Sequence, residues 1–291
     1  MTDAIGIDIG GTTTRVALVR IADGAPQEID RWSAPTDRDD AIATARAGVE
    51  ALASRRDLRT VTACGLGVPE YVHAGHVRSE LVIRGTAAGV EPAALGLAAE
   101  TRVLVESDVR CGAVAEWHAL ADPSASILYI SLGTGLSSTL VLPGGVPWEG
   151  RTGGAISLGE WESPVAGATL EGYASGDGIA ARHEAETGRA RTTKDIAAAA
   201  ARGDAVAGRL LAEAGSAVGL AIRRLHAVLD PSAVVVGGGL GSADGPLWEA
   251  LEAAARAPIP GRESVGLRRA VLGERSGGVG AALLAARVGG A

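Results

Sequence analysis

Two glycine turns set about 120 residues apart, Asp8-Ile9-Gly10-Gly11-Thr12-Thr13-Thr14 and Ser131-Leu132-Gly133-Thr134-Gly135-Leu136-Ser137, constrain this chain more than any other feature. Each follows an alternating apolar stretch (4–9 and 127–132) and precedes another (15–20 and 139–142), the pattern of a β-hairpin whose turn carries little side chain. A glycine turn lets backbone N–H groups approach an anion. The hydroxyls of Thr12, Thr13 and Thr134 add donors, so phosphate oxygens can be held without a cationic side chain. Most glycine-rich hairpins bind nothing; two of them, one in each half, point to a polyphosphate gripped from both sides. Asp8 ends the first strand, where a carboxylate could hold Mg²⁺ against phosphate, through water because that ion dehydrates reluctantly.

A third cluster, Gly237-Gly238-Gly239, follows the apolar run 233–236 and precedes a predicted helix near 247–256. It is no dinucleotide fingerprint, because the third glycine of G-x-G-x-x-G falls on Ser242. A P-loop is excluded more firmly: it needs lysine after its last glycine, and the only lysine, Lys194, follows Thr193.

At 291 residues, 47% hydrophobic and 21% charged, the chain is long and apolar enough for two well-buried domains, with cores of Ala, Val, Leu and Ile because phenylalanine is absent. A net charge of −7 with scattered arginines argues against nucleic acid as a partner, since phosphate backbones need clustered Lys and Arg. Cys64 and Cys111 are too few for a disulfide framework and read as reduced, buried thiols. No basic segment followed by an apolar run opens the chain, and no uninterrupted run reaches the roughly 18 apolar residues of a membrane span. A soluble, cytoplasmic protein with no membrane contact is therefore expected.

The pattern predicts strands near 4–9, 14–20 and 28–34, a helix near 39–55 and a strand near 60–67, then strands near 126–132, 137–142 and 145–148. A strand over 102–106 and a helix over 109–120 close the first half. The Ala-rich run 193–229 reads as two helices broken near Gly203, the second ended by Asp230-Pro231, and 279–287 is helical. Asp108 comes directly after an apolar strand and before a helix. That position suits either a helix N-cap or a carboxylate projecting from a strand end into a ligand crevice.

Taken together, Asp8-Ile9-Gly10-Gly11-Thr12, Ser131-Leu132-Gly133-Thr134-Gly135 and Val236-Gly237-Gly238-Gly239 resemble the phosphate-1, phosphate-2 and adenosine segments of the sugar kinase, Hsp70 and actin superfamily. Within it the chain is most similar to ROK-type sugar kinases, through Gly65-Leu66-Gly67-Val68-Pro69, Val105-Glu106-Ser107-Asp108 with Ala113-Val114-Ala115-Glu116, and Leu170-Glu171-Gly172-Tyr173-Ala174-Ser175-Gly176. The similarity runs from Gly6 to about Ala286 with order and spacing kept. It implies an α/β fold of two ribonuclease-H-like (actin-like ATPase) domains with a catalytic cleft between them. We place the domains at 1–108 and 109–275, with a C-terminal helix near 276–288 packing back on the first. The implied reaction is Mg²⁺-dependent transfer of the ATP γ-phosphate to a hexose hydroxyl, the 6-hydroxyl by preference. Asp108 would be the general base, Asp8 the metal anchor, and Gly10, Gly11, Thr12, Thr13, Gly133, Thr134, Gly135, Gly237, Gly238 and Gly239 the nucleotide cradle. A homodimer is expected.

Departures from the family pattern bear on the substrate. Ser107 replaces the asparagine of E-N-D, Ser157 stands for a sugar-binding glutamate, and Glu160 replaces the zinc-binding histidine of A-G-E-I-G-H. The cysteine loop that usually follows is absent, so a four-ligand zinc site is not expected. His73-x-x-His76 lacks further ligands and reads as exposed loop histidines. Gly67, Glu70, Ser107, Asp108, Ser157, Glu160 and Glu171 form the expected acceptor site. Three carboxylates among them, Glu70, Glu160 and Glu171, would favour an ammonium group, hence an amino-hexose such as 3-amino-3-deoxyglucose (kanosamine). Glucose or an N-acetylhexosamine is the alternative acceptor. A regulatory protein that binds ligand without catalysis is the alternative class, which retention of Asp8, both hairpins and Asp108 disfavours.

Overall fold

The computed structural model describes residues 1–287. In chain order its elements are β1 (Thr2–Ile9), β2 (Thr13–Ala22), β3 (Ala25–Pro35), α1 (Ala41–Ala53), β4 (Ala63–Val68), β5 (Val72–His73), β6 (His76–Val77), β7 (Arg102–Ser107), α2 (Asp108–Ala119), β8 (Ile127–Leu132), β9 (Leu136–Leu142), β10 (Val146–Pro147), α3 (Leu170–Ala174), α4 (Gly176–Thr187), α5 (Thr193–Ala201), α6 (Ala205–Leu229), β11 (Ala233–Gly237), α7 (Gly238–Gly241), α8 (Pro246–Ala255), β12 (Leu267–Arg269) and α9 (Ser276–Arg287). They form two compact units. The first holds Met1–Asp122, Gly145–Ala155 and the chain from Glu274; the second holds Pro123–Gly144 and Ile156–Gly273.

In the first unit the sheet order is β3-β2-β1-β4-β7, antiparallel across β3, β2 and β1 and parallel across β1, β4 and β7. The second unit repeats the plan: β9 and β8 form the antiparallel hairpin, and β8, β11 and β12 run parallel. Each unit is thus a ribonuclease-H-like α/β sheet, in which a glycine hairpin leads into parallel strands whose carboxyl ends share one edge.

In β1 the side chains alternate between two buried faces. Ile5, Ile7 and Ile9 join Leu66 and the inward residues of α1, Ala41, Ala45, Val49 and Leu52, whose spacing of three to four puts them on one stripe. Asp40 caps α1, its carboxylate accepting from the Ala43 amide at 3.0 Å. The opposite face packs α9 backbone to backbone. A Cβ placed on Gly65 would collide with the carbonyl of Ala281, and one on Gly280 with the carbonyl of Cys111. Helix α2 is therefore locked to α9 in the first unit, and the domain boundary expected after residue 108 is corrected accordingly. Residue 288, the last assigned to the C-terminal helix, lies outside the described residues. Gly65→Ala is expected to destabilise the fold by about 1 to 3 kcal/mol, because the obstructing atoms are main chain and cannot rotate away. Urea unfolding measures this, and wild-type stability would show that α9 is not seated there.

Helix α6 is long and apolar enough to cross a membrane by length and composition, although Arg209 and Glu213 interrupt its apolar run. Over half of that stretch is buried. Leu211, Ala214, Val218, Ile222 and Leu225 lie in the core of the second unit, and Gly215 and Gly219 bring its backbone against α8. Cys64 and Cys111 are free and buried, and burial pushes the Cys64 thiol up to about 12, so it does not ionise near neutrality.

Candidate active site

The parallel register of the first unit places Asp8 beside Gly67, and Gly67 beside Glu106. The chain then turns at Ser107 into α2, whose first residue is Asp108. Gly67 is the spacer: a Cβ there would lie 3.3 Å from Cys111 Sγ and 3.4 Å from Asp108 Cα. Asp8, Gly67 and Asp108 are thereby brought together at the carboxyl edge of the sheet.

Asp108 is not the N-cap of α2. Ser107 holds that position, although its hydroxyl makes no capping bond, and Asp108 Oδ1 accepts the Val109 amide at 2.6 Å. Burial raises the Asp108 carboxyl to about 7; the neighbouring charges of Asp8 and Glu70 add to the rise, and the Val109 amide opposes it. Burial likewise raises Asp8 to about 6, against the pull of Arg15, which faces it across the hairpin with Nη1 3.7 Å from Oδ2. The first turn of α9 closes over Asp8, since a Cβ on Gly277 would collide with its carboxylate. Two neighbouring carboxylates that titrate near neutrality suit proton transfer at physiological pH.

The two hairpins share one construction. In the first, the Gly10 amide closes the turn on Thr13 O at 3.0 Å, while Gly10 O accepts from Thr36 Oγ1 (2.7 Å), Gly11 O from Arg38 Nε (2.6 Å) and Thr12 O from the Thr36 amide (3.0 Å). In the second, the Gly133 amide donates to Gly135 O at 3.0 Å, and the first turn of α4 donates to the carbonyls of Gly133 (2.7 Å, from Gly176) and Thr134 (3.1 Å, from Asp177). With the carbonyls tied back, the amides of Gly11, Thr12, Thr134 and Gly135 have no acceptor among the described residues. Thr13 sits at the start of β2, beside the first turn. The turn after β11 meets the second hairpin. Gly238 has φ +81° and its backbone abuts Leu132 O, Gly239 N lies 3.7 Å from the Cβ position of Gly133, and Gly237 ends the strand.

The acceptor-side residues divide between the units. In the second, Glu171 Oε2 accepts from the Leu136 amide at 2.7 Å, Gly159 packs against the Glu171 side chain, and Glu160 is exposed. Ser157 follows Ile156, a β-branched residue at φ 60° whose carbonyl accepts the Ser138 hydroxyl; Ser138 Oγ in turn accepts the Leu158 amide at 3.1 Å. Such a conformation is costly and needs this clamp. In the first unit, Glu70 does not join the acceptor carboxylates. It is buried, and its two oxygens take four donors from residues 79–83. Burial favours its neutral form, but the Ser79 hydroxyl and those amides outweigh it and hold Glu70 below the usual carboxylate range.

Three features went unread in the sequence. Arg15 partners Asp8 only through hairpin register. Buried Arg110 bonds Glu106 at 2.6 Å and the carbonyls of Val72 (2.8 Å) and Gly153 (2.6 Å), fixing the loop below β7; the i,i+4 spacing of Glu106 and Arg110 was its only signal. His73, expected to be exposed, is only a third exposed and bonds Glu149 at 3.1 Å, whereas exposed His76 turns to Ala74 O at 2.8 Å. Among the described residues, no three His, Cys, Asp or Glu side chains form a metal-ligand group.

The ROK family model matches residues 4–288, and the chain belongs to the ROK family. The N-acetylmannosamine kinase of Escherichia coli is 31% identical, over 97% of this chain and 97% of that protein. The bifunctional enzyme NanE/NanK of Brucella melitensis is 35% identical over 153 residues, which are 52% of this chain and 29% of that longer protein, so the chain spans under a third of it. The ROK hexokinase of Thermus thermophilus has a TM-score of 0.81 at 30% identity, covering 99% of each chain. The fold is accordingly that of the two-domain, actin-like ATPase sugar kinases.

Proposed function

We propose that this protein is an ATP-dependent sugar kinase that transfers the γ-phosphoryl group to a hydroxyl of a hexose or N-acylhexosamine, with Asp108 as the general base. The observation that carries this reading is Asp108 itself, set at the carboxyl edge of the sheet beside Asp8 and raised to about 7. A base is most effective when its pKa lies near the working pH. Two kinase relatives similar to this chain over nearly its whole length support the reaction class.

The free amides of Gly11, Thr12, Thr134 and Gly135 suit phosphate oxygens, with the Thr12, Thr13 and Thr134 hydroxyls as further donors. The glycines at 237–239 leave backbone room for the nucleoside. Asp8 would hold Mg²⁺, a hard cation that fits a pair of crowded carboxylates, and the ion would neutralise phosphate charge. Asp108 orients the sugar hydroxyl and accepts its proton, and the primary 6-hydroxyl is the least hindered candidate. ATP is an intracellular donor, which favours a cytoplasmic enzyme.

The amino-sugar reading required Glu70, Glu160 and Glu171 together, and Glu70 is committed elsewhere. A neutral acceptor, glucose or N-acetylmannosamine, is therefore preferred over kanosamine. Comparing kcat/KM across glucose, mannose, glucosamine, N-acetylglucosamine, N-acetylmannosamine and kanosamine tests it, and a clear preference for kanosamine would reverse the choice. With no cysteine loop present, activity is expected to need Mg²⁺ and to survive a zinc-selective chelator. Stoichiometric zinc in purified protein would contradict this.

A further inference from the structure

Glu70 is 6% exposed and has every in-plane acceptor position filled. Oε2 accepts from the Ser79 hydroxyl (2.5 Å) and the Leu81 amide (2.9 Å), and Oε1 from the amides of Val82 (2.6 Å) and Ile83 (3.0 Å). Residues 79–83 belong to no helix or strand, so the carboxylate supplies the acceptors that a neighbouring strand would otherwise give. Glu80 repeats the device one turn later, its Oε1 accepting from Gly85, Thr86 and Ala87 at 2.9 to 3.3 Å. The segment folded in this way meets the first hairpin at two points. Val82 Cγ1 lies 2.9 Å from the Cβ position of Gly11, and the Arg84 amide donates to Arg38 O (2.9 Å), whose guanidinium donates to Gly11 O (2.6 Å). Ile83, buried in the core of the first unit, anchors the segment.

We propose that Glu70 is a positioning residue for nucleotide: it moulds residues 79–84 into the wall that holds Gly11 and its free amide in place, and it does not itself touch the sugar. Because Glu70 lies three residues beyond Gly67, the same strand end serves Asp108 on one side and the phosphate turn on the other. The proposal deepens the kinase reading and rests on it.

Two variants test it. Glu70→Gln keeps the size but turns one acceptor oxygen into a donor that faces amide N–H groups. Val82→Ala leaves the carboxylate cage intact and trims the side chain that faces Gly11, along with its packing on the core of the first unit. Binding of ATP with Mg²⁺ is measured by calorimetry, and KM for ATP and for sugar by steady-state kinetics. Nucleotide KM and Kd are expected to rise about tenfold in Glu70→Gln and about threefold in Val82→Ala, with sugar KM within about twofold of wild type. Unchanged nucleotide affinity in both variants would overturn the proposal, as would a rise in sugar KM alone in Glu70→Gln. If Glu70→Gln does not fold, Val82→Ala decides. A wild-type protein that binds no nucleotide would instead sink the kinase reading, and the proposal with it.

Discussion

Asp108→Asn is expected to reduce phosphoryl transfer by about 10² to 10⁴-fold while leaving nucleotide affinity close to wild type, because it removes the proposed general base and keeps the shape of the side chain. Asp108 accepts the Val109 amide in a geometry that asparagine can reproduce, so α2 should keep its first turn. In wild type the sugar kcat/KM should fall as pH drops through about 7, where Asp108 takes up a proton and ceases to act as a base. Stability has the opposite sign. A carboxyl whose native pKa is raised above its unfolded value contributes stability that is full below the ordinary carboxylate range and is lost as pH rises to about 7. Asp108→Asn should therefore be more thermally stable than wild type at pH 8, with the gap closing by about pH 4. Turnover near wild type, or a variant that is less stable at pH 8, would reduce Asp108 to a structural residue.

The second large effect is expected at Asp8. Asp8→Asn should lower turnover by at least about a hundredfold, since the phosphates lose the carboxylate proposed to anchor their counter-ion. It should also move Asp108, because the charge of Asp8 is one of the causes that raise it. Carboxyl-carbon NMR of the unliganded protein would follow the Asp108 titration directly. The midpoint is expected to fall from about 7 towards the ordinary carboxylate range. A midpoint that stays in place would separate the two carboxylates and remove the electrostatic argument for their pairing.

What could be read in advance and what could not divides by the kind of interaction. Glycine turns after apolar strands are local, so both hairpins and the turn at 237–239 were visible before any tertiary contact was known. Asp108 was visible because a strand end followed by a helix start is also local. Its exact place was not: Ser107, not Asp108, is the N-cap. The role of Glu70 depends on four donors that lie 9 to 13 residues further on, in a segment with no period, and nothing in Pro69-Glu70-Tyr71 announces them. Glu70 read as a carboxylate facing a ligand, whereas its oxygens are taken by Ser79, Leu81, Val82 and Ile83. The domain boundary failed for a similar reason. The pattern put the helix over 109–120 with the first half, yet the boundary was drawn before it; its place is decided by Gly280, which brings α9 to backbone distance of Cys111. Arg15 opens the apolar stretch that follows the first turn, yet only the pairing of Asp8 with Arg15 gives it a partner.

Incubating the purified protein with ATP, Mg²⁺ and glucose or N-acetylmannosamine, and following the reaction by ³¹P NMR, tests the assignment most directly. A sugar phosphate should appear together with an equal amount of ADP, and Asp108→Asn should yield neither on the same timescale. ATP consumption that releases only inorganic phosphate, or sugar phosphate formed at the wild-type rate by Asp108→Asn, would contradict a sugar kinase that works through this carboxylate.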